Sequence, residues 1–245
     1  MQDIAVKGNP SQPQLTFTVN GVTFEMVPVE GGTFTMGATA EQGGEADGNE
    51  KPTHQVTLSS YAIGKHEVTQ ALWQAVMGSN PSNYKGDNRP VEQVSWDDCQ
   101  EFISKLNSIT GRSFRLPTEA EWEFAARGGK KSKGYKYSGS NNLDEVAWYD
   151  GNSGNQTHPV GTKKPNELGI YDMSGNVWEW CADWYDNYSS SPSTDPTDPS
   201  SGSGRVARGG GWCGFARCCR VSYRDGDNPG SGCDYLGLRL VLHQF

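Results

Sequence analysis

The sequence predicts an α+β domain of short strands, about three helices and much irregular chain. Three observations lead there. Apolar residues make up only 34% of the chain and mean hydropathy is -0.70, too polar for a helical bundle. Glycine numbers 31 and tryptophan 8, a profile of tight turns around an aromatic core. Helix-capping signals stand at three places, while short β-rich runs bounded by Gly recur along the chain.

Residues 1–20 are predicted as a flexible lead-in and 21–245 as one domain, since no internal repeat or break divides the rest. FEMVPVEGGTFTMG (24–37) reads as two strands around Gly31–Gly32. EQGGEADGNEKP (41–52) is acidic and Gly-rich, the composition of a solvated loop. HQVTLSSYAIGKHEVT (54–69) is strand-like. Thr69 can cap a helix that ends at Gly78. Ser95, with Asp98 three residues on, can cap one that ends at Gly111 and buries Phe102, Ile103 and Leu106. Thr118 and Glu121 form a capping box for a third, which ends at Gly128–Gly129. DNYSSSPSTDPTDPSSGSG (186–204) is predicted as an exposed loop. RVARGGGW (205–212) and LGLRLVL (236–242) read as strands with a long loop between them.

Length and charge narrow the function. A chain of 245 residues can bury about 70–75% of its unfolded surface. A net charge of -8 argues against nucleic acid as a partner. No apolar run approaches the roughly 18 residues of a membrane span. The N-terminus shows no signal peptide, although Met1–Gln2 fits an expression start placed on a mature chain. There is no P-loop, G-x-S-x-G or H-E-x-x-H motif, and His54, His66, His158 and His243 have no ligand or triad spacing. The six cysteines fit a disulfide framework poorly, because Cys218 and Cys219 are adjacent.

The segments FEMVPVEGGTFTMG, HEVTQALWQAVMG, RPVEQVSWDDCQEF, FRLPTEAEWEFAARGG, NELGIYDMSGNVWEW and RVARGGGW with LGLRLV run in the order of one family. Over about residues 22–242 the chain resembles the sulfatase-modifying-factor, or formylglycine-generating-enzyme, domain. The resemblance implies a C-type-lectin-like fold of that type. Some members are oxidases, which bind copper(I) through two C-terminal cysteines and convert a sulfatase cysteine to formylglycine. Others are binding proteins, among them the variable proteins of diversity-generating retroelements, whose same C-terminal stretch is hypermutated.

Three readings of the cysteines in RGGGWCGFARCCR (208–220) compete. Cys213 and Cys218 have the separation of the oxidase pair. Aligned on Gly-Gly-x-aromatic, however, the oxidase positions fall on Gly214 and Cys219, and Gly211 replaces the oxidase serine. Copper is therefore not expected. A zinc site from Cys213, Cys218, Cys219 and Cys233 lacks paired knuckles. Cys219, Cys99 and Cys181 suit a core role. The third reading is diversification. The family's frame residues remain at Arg208, Gly209, Gly210, Trp212, Cys219, Arg220, Tyr223, Arg224, Pro229, Leu236, Gly237 and Arg239. Where non-catalytic relatives carry Asn, this chain has Cys213, Gly214, Phe215, Cys218, Asp225, Gly226, Asp227, Ser231, Cys233, Asp234 and Tyr235.

Adenine-directed mutation of an Asn codon reaches all of those types, but never Lys, Glu, Gln, Met or Trp. Those five make up 49 of 245 residues, so about six are expected among the thirty from 213 to 242; there are none. The favoured expectation is a non-catalytic receptor-type protein with a variable region at about 206–242. Gly211 and the eleven substituted positions would contact a protein or glycan ligand. The resemblance implies display on a cell surface or phage particle. It also implies a structural Ca²⁺ site at Asn176, Val177 (or Gly175) and Glu179, with hydrogen bonding within the loop as the other role for these residues.

Overall fold

The computed structural model describes residues 7–9, 12–197 and 199–243. In chain order its strands begin with β1 (Lys7–Asn9), β2 (Gln12–Val19), β3 (Val22–Val29), β4 (Gly32–Met36), β5 (His54–Leu58) and β6 (Tyr61–Gly64). Helices α1 (Gln70–Met77) and α2 (Trp96–Thr110) follow, then β7 (Phe114–Arg115), α3 (Glu119–Ala126) and the single turn α4 (Leu143–Val146). The C-terminal half adds β8 (Trp178–Trp184), β9 (Ser193–Thr194), β10 (Arg205–Arg208), β11 (Arg224–Asp227), β12 (Leu236–Leu238) and β13 (Val241–Leu242).

The predicted lead-in needs correction. Asn20 and Gly21 both take positive φ, 48° and 84°, as the two-residue hairpin turn requires. That turn folds β2 back on β3, pairing Phe17 with Phe24 and Val19 with Val22. Phe17 and Val19 are buried, and the rings of Phe17 and Phe24 both meet Phe114. Residues 12–19 thus belong to the domain; 1–6 and 10–11 of the expected lead-in lie outside the described residues.

The three expected helices form on their expected caps. Thr69 accepts from the Leu72 amide, Ser95 from Asp98 and Thr118 from Glu121, the last two as reciprocal capping boxes. Gly78 and Gly111 close α1 and α2 in the left-handed region. Every residue of α3 is buried, including Glu119, Glu121 and Glu123. Three carboxylates on a buried helix require cationic partners; Arg115 and Arg127 supply two nearby, and Arg208 and Arg224 two from the last forty residues.

The strands form a six-stranded sheet, β1–β2–β3–β6–β13–β7, a four-stranded sheet, β11–β10–β8–β12, and a three-stranded sheet, β4–β5–β9. In the four-stranded sheet β8 pairs parallel to β12 and antiparallel to β10, so WEWCADW sits between the two strands that bracket residues 209–235. One core cluster holds Trp73, Phe102, Leu106 and Trp180, and a second holds Tyr61, Trp122, Phe124 and Ile170.

The segment 41–52, expected as a solvated loop, is partly interior. Gln42 and Glu50 are buried, and Glu50 closes a capping box with Asp47. Segment 186–204 is largely exposed, as expected, but contributes β9 to the β5 edge. Among the described residues no helix is long and apolar enough to cross a membrane.

Candidate functional site

The candidate site begins where β10 ends. Gly209 and Gly210 take positive φ, 97° and 74°. A Cβ on Gly210 would lie 3.0 Å from the Cys218 backbone and the Cys219 Sγ. A Cβ on Gly211 would lie 3.0 Å from Trp178 Cδ1. The glycines let the chain pass flat over the sheet. The Trp212 amide then donates to the Asn176 carbonyl at 2.7 Å, and its indole Nε1 donates to the Asp234 carbonyl at 2.8 Å. One buried tryptophan thus joins the start and end of the loop region.

Around and within this loop region, Arg208, Arg220, Arg224 and Arg239 turn inward and meet carboxylates from distant elements. Arg208 pairs with Glu123, and also lies 3.4 Å from Glu119. Arg220 donates to Glu50 at 2.8 and 2.5 Å. Arg224 donates twice to Glu119, each at 2.7 Å. Arg239 meets Glu179 at 2.7 to 3.1 Å. Burial alone would raise the Glu50 and Glu119 carboxyls, but their arginine partners outweigh it and hold both below the ordinary carboxylate range.

Most of the expected contact residues between these anchors are exposed or half-buried. Cys213, Phe215, Asp225 and Gly226 are exposed, and Phe215 retains 65% of its surface. Gly214, Asp227, Ser231, Cys233, Asp234 and Tyr235 are half-buried. Two expected contact residues need correction. Gly211 is buried beneath Trp178 and the Tyr235 backbone. Cys218 is buried because the helical turn Ala216–Cys219 rotates it into the core, in the cluster against which Tyr223 packs. Cys99, Cys181 and Cys219 lie in the interior, as expected of core thiols.

A cavity of about 230 Å³ opens on this face. Trp178, Ala207 and Leu236 line its apolar part, and Cys213, Asp225, Gly226, Asp227 and Tyr235 complete it. The floor residues escape a sequence reading because β8, β10 and β12 come together only in the folded sheet. Of three larger cavities, those of about 350 and 410 Å³ lie against the segment 183–199 and one of about 400 Å³ beside Gly111 and Leu242; none contains an expected contact residue.

Burial raises Cys213, and Asp234 and Asp150 add to the shift. Burial also raises Cys218. Both environments favour the thiol over the thiolate. Among the described residues no three His, Cys, Asp or Glu side chains converge to hold a metal ion.

In the expected Ca²⁺ set, the side chains of Asn176 and Glu179 are engaged within the protein. The Asn176 Oδ1 accepts from the His158 amide at 2.9 Å, and its Nδ2 donates to Glu67 at 2.8 Å. The Val177 amide donates to the same Glu67 at 3.1 Å. Both Glu179 oxygens are engaged by Arg239, and one also accepts from Trp122 Nε1 at 2.7 Å. Glu179 is a carboxylate already neutralised, and Glu67 is the buried residue that organises the turn.

Comparisons with known proteins agree with this architecture. Treponema denticola variable protein 1 superposes with a TM-score of 0.87 at 38% identity, covering 94% of this chain and 99% of that one. PvdO from Pseudomonas aeruginosa gives a TM-score of 0.79 at 28% identity, covering 90% and 94%. By sequence, the chain is 39% identical to chaperone protein LppX of Paenibacillus barcinonensis over 90% of each. It is 30% identical to the formylglycine-generating enzyme of Streptomyces coelicolor over 88% of each. The family described as "Sulfatase-modifying factor enzyme 1-like domain" matches residues 14–244, a span that includes most of β2. On that match and the shared C-type-lectin-like fold, the chain belongs to the sulfatase-modifying factor enzyme 1-like domain family.

Proposed function

We propose that this protein is a non-catalytic, receptor-type ligand-binding protein. Side chains at 213–215, 225, 227, 231 and 233–235 meet a protein or glycan partner, and a retroelement exchanges them. One observation carries the reading: within the same stretch, Arg208, Arg220, Arg224 and Arg239 are buried and paired with carboxylates elsewhere, while 213–215, 225–227 and 231–235 are exposed or half-buried. A frame and a replaceable surface are thereby separated residue by residue. The likeness to Treponema denticola variable protein 1 supports it. An exposed Phe215 beside half-buried Tyr235 is the kind of aromatic contact a binding face uses. Such a protein would be displayed on a cell or phage surface.

Sequencing the gene across a population tests this. Substitutions should fall at the solvent-facing codons and spare those of the four arginines, with a reverse transcriptase and an adenine-bearing near-copy encoded nearby. A uniform gene with neither element contradicts the reading.

A formylglycine-generating oxidase is the second reading, and the Streptomyces relative favours it. Raised thiols and a buried Cys218 oppose it. With copper(I), oxygen and a C-x-P-x-R peptide, no aldehyde should form. Turnover lost in Cys218→Ser would establish the oxidase instead.

A further inference from the structure

The binding-face reading says that something docks at the 230 Å³ cavity; the residues there also indicate its chemistry. Asp225 and Asp227 stand on the cavity wall, and the Asp234 backbone is tied to Trp212. Among the described residues none of these three carboxylates forms an ion pair. Asp225 and Asp227 each accept only from the next residue's amide, at 2.8 and 2.7 Å, and Asp234 receives a long contact of 3.5 Å from Asn83. Arg208, Arg220, Arg224 and Arg239 are buried on other carboxylates; Arg205, opposite Asp227 on β10, stacks on Trp96 and Trp184, and the exposed Arg217 forms no ion pair among the described residues. The wall between the acids is not polar. Trp178, Leu236 and Ala207 form it, with the Tyr235 ring beside them.

Unpaired carboxylates around an aromatic and aliphatic pocket complement a side chain with an apolar stem and a flat cationic head. We propose that this face takes an arginine side chain of a protein partner. Its methylenes lie against Leu236 and Ala207, and its guanidinium meets Asp225 and Asp227 next to the aromatic rings. A neutral glycan can donate hydroxyl hydrogen bonds to these carboxylates but leaves their charge unbalanced, and an acidic glycan is repelled, so the charge favours a protein with a basic surface. The protein's net charge of -8 draws such a partner in and repels acidic ones.

The test is an NMR titration of the whole isotope-labelled protein with the peptide acetyl-Gly-Arg-Gly-amide. Matched peptides carry citrulline, Leu or Glu in place of Arg. The Trp178 indole, Tyr235 and Gly226 resonances should shift with the Arg peptide. Its affinity should exceed that of the citrulline peptide by about fivefold or more, for two exposed carboxylates acting together. The variant Asp225→Asn/Asp227→Asn should lose that preference; neither side chain is buried, so the fold is retained. Equal or larger shifts of the same resonances by the Leu or Glu peptide would overturn the arginine assignment while leaving the binding face intact. Shifts with no peptide would overturn it too. Shifts confined to other surfaces would count against both this assignment and the face itself.

Discussion

Arg220 and Glu50 are 170 residues apart, fully buried, and joined by hydrogen bonds of 2.8 and 2.5 Å, with Ser222 donating to the same carboxylate. The pair ties the loop region to the segment 41–52, which otherwise resembles a surface loop. Removing one partner strands a buried charge. We expect Glu50→Ala to cost about 3–5 kcal/mol in denaturant unfolding. The double change Glu50→Leu/Arg220→Met should recover much of that. A loss below about 1 kcal/mol for the single change would mean the pair does not fix the loop.

Solvent exposure is not the same as freedom to vary. Gly226 is exposed, yet a Cβ there would lie 2.8 to 2.9 Å from the base of the Tyr185 side chain. Gly226→Val should therefore destabilise by about 1–3 kcal/mol, whereas Phe215→Ser should fall within about 0.5 kcal/mol of the parent. Denaturation midpoints of the two variants decide this. Equal midpoints would return Gly226 to the replaceable set.

How much of this was legible in the sequence follows from range. Thr69, Ser95 and Thr118 announce their helices because a cap and its partner lie within one turn. The Asn20–Gly21 turn and the alternation of Leu15, Phe17 and Val19 were equally local, but the polar, Pro-containing start of the chain obscures them. Most of the outward set at 213–235 came from the family resemblance, as the positions where non-catalytic relatives carry Asn. What burial does to Gly211 and Cys218 was not legible, because it depends on Trp178 and on the turn at 216–219. Glu50 carries no local sign of Arg220. Glu179 looked like a metal ligand until Arg239 and Trp122 were seen to occupy it.

The thiols should differ sharply in reactivity. Cys213 is exposed and Cys233 half-buried, while the other four are interior. A disulfide reagent on the native protein should modify Cys213 first, with its rate still rising above pH 9 because burial, Asp234 and Asp150 raise that thiol. Cys99, Cys181 and Cys219 should react only on unfolding. Mass mapping of the adducts checks the order, and early modification of Cys219 would contradict it.

Asp183 sets a pH dependence of the opposite sign to the arginine-held carboxylates. Burial, with Glu119 close by, raises its carboxyl to about 7. In the unfolded chain the value is about 3.9. Between these values the folded protein keeps a proton that the unfolded chain has lost. This contribution is therefore complete below about pH 4 and disappears as pH rises through about 7. Asp183→Asn should lose less melting temperature than the parent between pH 5 and pH 8. Parallel curves would show that Asp183 does not titrate in this window.

The most direct test compares two saturation libraries by protease resistance. One randomises Cys213, Phe215, Asp225, Ser231 and Asp234; the other randomises Arg208, Arg220, Arg224 and Arg239. Most members of the first library should remain folded, and few of the second. Comparable survival in the two libraries, or collapse of the first, would contradict a replaceable face held on a fixed frame.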